Sequence, residues 1–126
     1  MYTILDESSA LRMELKRKLV QSIVNLEDLI LGEAHSPWLV NALKGEVADI
    51  ARQAASAFAT HEQANMVLEA IAQLMEGPNN PLDYGPGIFG RLLEMARMFD
   101  SPSLPGGYLS LKRIWLEGKG AVFYPY

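Results

Sequence analysis

The sequence predicts a mainly α protein, a four-helix bundle-like core followed by an irregular, aromatic C-terminal arm. Four segments repeat their apolar residues at helical spacing. The ends of those segments carry residues that cap or break helices. The chain has 126 residues, with 49% hydrophobic and 21% charged side chains. That is too apolar to stay disordered and too short for two independent cores. Residues 1–126 are therefore expected to form a single helical domain.

The first helix is expected from Asp6 or Ser9 to Leu31. Leu11, Leu15, Leu19, Ile23, Leu26, Leu29 and Ile30 share one face. Gly32 offers a residue able to take positive φ just past the end. A second strip, Met13, Val20, Val24 and Leu31, widens the apolar arc to about 220°, roughly twice what an ordinary surface helix needs. The helix should thus be central to the bundle or covered on its second side by another chain.

The second helix opens at Ser36-Pro37, a hydroxyl cap followed by a proline whose missing N–H costs nothing in the first turn. Leu39, Leu43, Val47, Ile50, Ala54 and Phe58 are expected on its buried face, with alanines beside them that let helix axes approach. The third helix begins at a Thr60-His-Glu-Gln63 capping box and buries Ala64, Val67, Leu68, Ile71, Leu74 and Met75 before Gly77-Pro78 stops it. The stretch from Gly77 to Gly87, dense in Gly, Pro and Asn, reads as a loop that is neither helix nor central strand. A fourth helix from Pro86 or Gly87 to Phe99 presents Ile88, Phe89, Leu92, Leu93, Met95, Ala96 and Phe99. Residues 108–126 fit a short fifth helix through Leu116 or a hairpin closed by Gly118-Lys119-Gly120. In either case Phe123 and Tyr124 belong to an arm laid across the bundle.

Composition narrows the function. Cysteine is absent, which excludes disulfides, thiolate nucleophiles and Cys-based zinc or iron–sulfur sites. A net charge of −4 argues against binding along a phosphate backbone, and Lys16, Arg17 and Lys18 spread around the first helix rather than collecting on one face. The tail mixes Lys112, Arg113 and Lys119 with aromatic rings, as a stacking surface for nucleic acid would, but an arm clamped on a core has the same composition. No apolar run is long enough to span a bilayer. Asp6 and Glu7 stand where an export signal needs positive charge, so a cytoplasmic setting is expected.

Catalytic signatures are equally sparse. No serine lies in a nucleophile elbow, and Ser9 is followed three residues later by Arg12, which cannot deprotonate to serve as a base. Gly85, Gly87 and Gly90 mimic a dinucleotide fingerprint, but a helix and a loop precede them instead of a strand. His35 and His61 share no metal-ligand spacing, and neither a metal nor a cofactor is implied. Two readings follow. The first is a small binding, adaptor or regulatory protein acting through protein contacts, a second copy of itself included, using Met13, Val20, Val24, Leu31, Trp38, Phe123 and Tyr124. The alternative is a small-molecule-binding protein or enzyme with a site at residues 77–91, built from Asp83, Tyr84, Arg91 and His61. There the N–H groups opening the fourth helix would face an anion.

Overall fold

The computed structural model describes residues 2–32, 36–78, 80–85 and 87–101, the side chains of residues 2–8 and Tyr84 excepted. Four α-helices account for most of it: α1 (Tyr2–Leu31), α2 (Pro37–Ala57), α3 (Glu62–Glu76) and α4 (Ile88–Met98). No strand occurs among the described residues. The expected arm, with Phe123 and Tyr124, lies outside them, as does His35.

α1 packs on α2 and α2 on α3, while α4 returns to α1. The heaviest contacts join α2 to α3 and α1 to α2, followed by α1 to α4, while α3 barely meets α4. α2 is thus enclosed between two helices. α1 runs past the end of its partners: Arg12 already lies level with the last turn of α2, its Nε donating to the Ala57 carbonyl at 3.3 Å. The chain from Tyr2 to Leu11 therefore extends beyond α2, and the helix starts earlier than the Asp6 or Ser9 expected.

One core joins all four helices. Leu19, Ile23, Leu26, Leu68, Ile71, Leu74, Ile88, Leu92, Met95 and Phe99 are its largest fully buried side chains. The inner faces of α1, α3 and α4 agree with the periodicity except at Leu11, which is exposed where α1 overhangs, and at the half-buried Leu29 and Leu93. That of α2 does not. Its buried residues are Val40, Lys44, Val47, Ala48, Ala51 and Ala54, whereas Leu39 is exposed and Leu43 and Ile50 lie on the flanks, half-buried. The face is rotated because a helix squeezed between two others needs small side chains inside. Ala51 and Ala54 are fully buried there, and the larger residues move outward.

The caps depart from the sequence reading in instructive ways. Ser36 caps α2 as expected, its hydroxyl accepting from the Leu39 N–H at 3.3 Å. α3 is capped not by Thr60 but by His61, whose Nδ1 accepts from the Ala64 N–H at 3.2 Å. Gln63, expected to reach back to Thr60, instead donates to the carbonyls of Phe99 and Ser101, both at 3.0 Å. Gly32 ends α1 without positive φ, its N–H shared between the carbonyls of Asp28 and Leu29 at 3.1 and 3.2 Å. Within the 77–87 connection, expected to hold no helix, Pro81–Tyr84 form one 3-10 turn. The Asn80 side chain accepts from the Leu82 N–H at 2.9 Å to start that turn. Gly85 closes it at φ 118°, a conformation that disfavours any side chain.

Candidate functional site

The fold sets His61 apart from the other residues proposed for a ligand site. His61 opens α3, while Asp83 and Tyr84 follow the far end of that helix. Fifteen residues of helix separate the two, about 22 Å at 1.5 Å per residue. His61 is occupied as a cap and its ring lies edge-on to Phe58, with centroids 6.3 Å apart. Asp83 is exposed in the 3-10 turn, and Arg91 is half-buried one turn into α4, its N–H donating to the Gly87 carbonyl. Only Asp83, Tyr84 and Arg91 remain near one another in the chain. No cluster of three His, Asp or Glu able to hold a metal occurs among the described residues.

What the loop end does contain is a buried lysine that the apolar periodicity does not mark. Lys44 of α2 is only 3% exposed. Its stem takes an inward position between Val40 and Val47, and its Nζ donates to the Gly77 carbonyl at 2.8 Å, across the C-terminus of α3. A cation suits that place because the last carbonyls of a helix lack partners within it and carry its negative dipole end. Burial lowers the pKa of Lys44 from its ordinary 10.5, and the charge of Asp83 opposes the shift. Beside it lies a cavity of about 260 Å³, lined by Pro37, Val40, Asn41, Pro78 and Asn80. This is at the lower edge of what small-molecule sites enclose. The arrangement is a helix-end clamp with a shallow recess. The only sequence signal for Lys44 was its heptad spacing with Val40, Val47 and Ala51, which its charge concealed.

A polar groove of about 790 Å³ runs between α1 and α2 past Gln21, Asn25, Asn41, Glu46 and Asp49. Gln21 donates to Asn25 within it at 2.9 Å. With both charges and amides along its rim, it has the character of a hydrated seam.

Of the residues proposed as a contact surface, Met13, Val20, Val24, Leu31 and Trp38 lie among the described ones. Met13 is 71% exposed and Leu31 63%, with Val20 and Val24 half-buried between them on the side of α1 away from α2. Trp38 is 71% exposed at the start of α2. Met13 and Val20 line a shallow groove with Lys16, Arg17, Gln21 and, from α4, Arg97. An apolar strip with charged residues along it therefore remains on a helix whose opposite face is already in the core. No helix among the described residues is long and apolar enough to cross a membrane. Compared with known families, curated proteins and solved structures, the chain gives no match.

Proposed function

We propose that this chain is a small cytoplasmic binding protein that works through a protein contact on the outer face of α1, the first candidate partner being a second copy of itself. The observation that carries the reading is the strip Met13, Val20, Val24 and Leu31, spread over about 27 Å of helix, with Met13 and Leu31 exposed and Val20 and Val24 half-buried, Val20 at the edge of the core. Exposed apolar patches rimmed by polar groups mark interaction sites, and Met is a frequent interface residue. Trp38 supplies a second exposed anchor. Against the ligand-site reading stands the separation of His61 from Asp83 by the length of α3.

The test uses Met13→Ser/Leu31→Ser, changes at exposed positions that leave the core intact. Light scattering should give a wild-type mass of twice 14.0 kDa at high micromolar concentration and a variant mass closer to the monomer. If both proteins are monomeric and both, as baits, retain the same set of proteins from a lysate, the strip is no contact surface.

A further inference from the structure

The strip contains a pattern that specifies more than stickiness. Along α1 the outward positions run Met13, Arg17, Val20, Val24, Glu27 and Leu31, steps of four and three in strict alternation. This is the 3.5-residue spacing by which two helices keep a shared seam over several turns. The six positions are also symmetric about residue 22. Met13 mirrors Leu31, Arg17 mirrors Glu27, and Val20 mirrors Val24, so each apolar residue has an apolar image and the cation has a carboxylate for its image.

We infer that a second copy docks here with its α1 antiparallel to the first, the two-fold axis crossing the seam level with Ser22. This rests on the protein-contact reading above and adds orientation, register and partner. In a two-fold interface residue i meets residue j while j meets i, which an antiparallel helix pair satisfies when the sequence is palindromic in character, as this strip is. Met13 then packs on Leu31 of the second copy, Val20 on its Val24, and Arg17 faces its Glu27. A parallel pair in register would set Arg17 against Arg17 and Glu27 against Glu27, and like charges face to face at an interface are strongly unfavourable.

The surrounding charges point the same way. Arg97 and Lys16, the latter paired with Asp100 at 2.8 Å, flank Met13, Arg17 and Val20 in one groove, and Asp28 follows Glu27. The N-terminal half of the strip is thus cationic and its C-terminal half anionic. Antiparallel docking lays each half on its opposite. Glu14, the acid among the cations, is held within the helix by Arg17 at 2.7 Å and Lys18 at 4.0 Å. Arg17 gives only Nη2 to Glu14. A guanidinium with five N–H donors has capacity for a second carboxylate. Glu27 is half-buried and has no ionic partner among the described residues, so a cation from the other copy would complete it.

The chain has no cysteine, which makes thiol cross-linking clean. Met13→Cys and Leu31→Cys are prepared separately and oxidised alone and as an equimolar mixture. Antiparallel docking puts the two equivalent thiols of either variant about 27 Å apart but brings Cys at 13 against Cys at 31. The mixture should give covalent dimer and the single variants almost none. In parallel, Arg17→Glu should weaken dimerisation at least about ten-fold, and Arg17→Glu/Glu27→Arg should restore it to within a few-fold. A dimer that cross-links in the single variants, or that the double charge exchange does not rescue, overturns the register while leaving the contact surface standing. A wild type that stays monomeric at millimolar concentration overturns docking by a second copy altogether, and covering of the strip by residues 102–126 is then the occupant to test.

Discussion

At the end of the bundle where α2 and α4 finish, closure is shared among many side chains. Phe58 and Phe99 stack edge to face at 5.0 Å, the Arg12 guanidinium lies 4.7 Å above the Phe58 ring, and Lys16 lies 5.3 Å above that of Phe99. Lys16 also reaches Asp100 at 2.8 Å, and the Asn65 amide donates to the carbonyls of Ala55 and Phe58. At the opposite end, where α3 finishes and α4 begins, Met75, Ile88 and Phe89 are buried too, and a buried amine, Lys44 on Gly77, adds a cross-helix hydrogen bond. The difference lies in where the polar groups sit. At the aromatic end the cations over the rings are exposed or half-buried. At the lysine end the bond falls to a group that must itself be kept out of water.

The comparison is broken most forcefully at the aromatic end by removing area rather than charge. Phe99 is fully buried, and Phe99→Ala deletes the stack on Phe58, the platform under Lys16 and a core volume shared with α1. Truncating a buried Phe costs about 3–5 kcal/mol. Chemical denaturation should show a loss in that range with a lowered midpoint and little change in slope. A loss below about 1 kcal/mol would mean that this end is not part of the cooperative core.

At the lysine end the expected effect is smaller but has its own signature. Lys44→Met keeps the apolar stem and removes the amine, leaving the Gly77 carbonyl without this donor. Such a loss costs about 1–3 kcal/mol. Its pH dependence identifies the cause. Because burial lowers the folded-state pKa of Lys44 below the ordinary 10.5, the folded protein gives up this proton at a lower pH than the unfolded chain does. Between those two values the unfolded state holds more protons, so stability gains with rising pH, and the gain is complete above 10.5. Stability curves of wild type and Lys44→Met should therefore diverge on the alkaline approach to that value, with the wild type gaining relative to the variant. Parallel curves would show that the amine is hydrated in the folded state.

The same contrast explains what was legible in the sequence. Helix existence was written in local pattern, and so were Ser36 as a cap and the outer strip of α1, since each depends on residues a few positions apart. The inner face of α2 was legible only in part, at Val47, Ala54 and Phe58, because Ala48 and Ala51 weigh little on a hydrophobic scale although they decide how closely helices approach. Lys44 was missed because its partner lies 33 residues away. His61 was overlooked as a cap because Thr60 and Gln63 fit the usual box. Only the fold shows Gln63 drawn off to the carbonyls at the end of α4, away from Thr60. Asn80-Pro81 did carry a signal for the 3-10 turn, a side-chain acceptor before a proline whose φ suits the first turn, but the density of Gly and Pro around it suggested an irregular loop.

The smallest expected effect comes from a clamp that belongs to neither end. Arg52 on α2 meets both carboxylate oxygens of Glu69, at 2.8 and 3.0 Å, and both of Glu76, at 2.6 and 3.1 Å, tying α2 to α3 along their exposed side. By geometry it is the best-bonded residue of the three, and those carboxylates raise its pKa further above the range in which it would deprotonate. Its partners are nevertheless hydrated, with side chains 43% and 49% exposed. An exposed ion pair contributes about 0–1 kcal/mol, because water solvates the separated charges nearly as well and salt screens their attraction. Arg52→Ala should therefore cost less than about 1 kcal/mol at low ionic strength, with most of the difference gone in ~1 M NaCl. The Lys44→Met loss should persist in the same salt, since counterions do not reach a buried amine. If Arg52→Ala proved as costly as Lys44→Met and equally resistant to salt, bond count rather than burial would rank these contacts. The contrast between the two ends would then need another explanation.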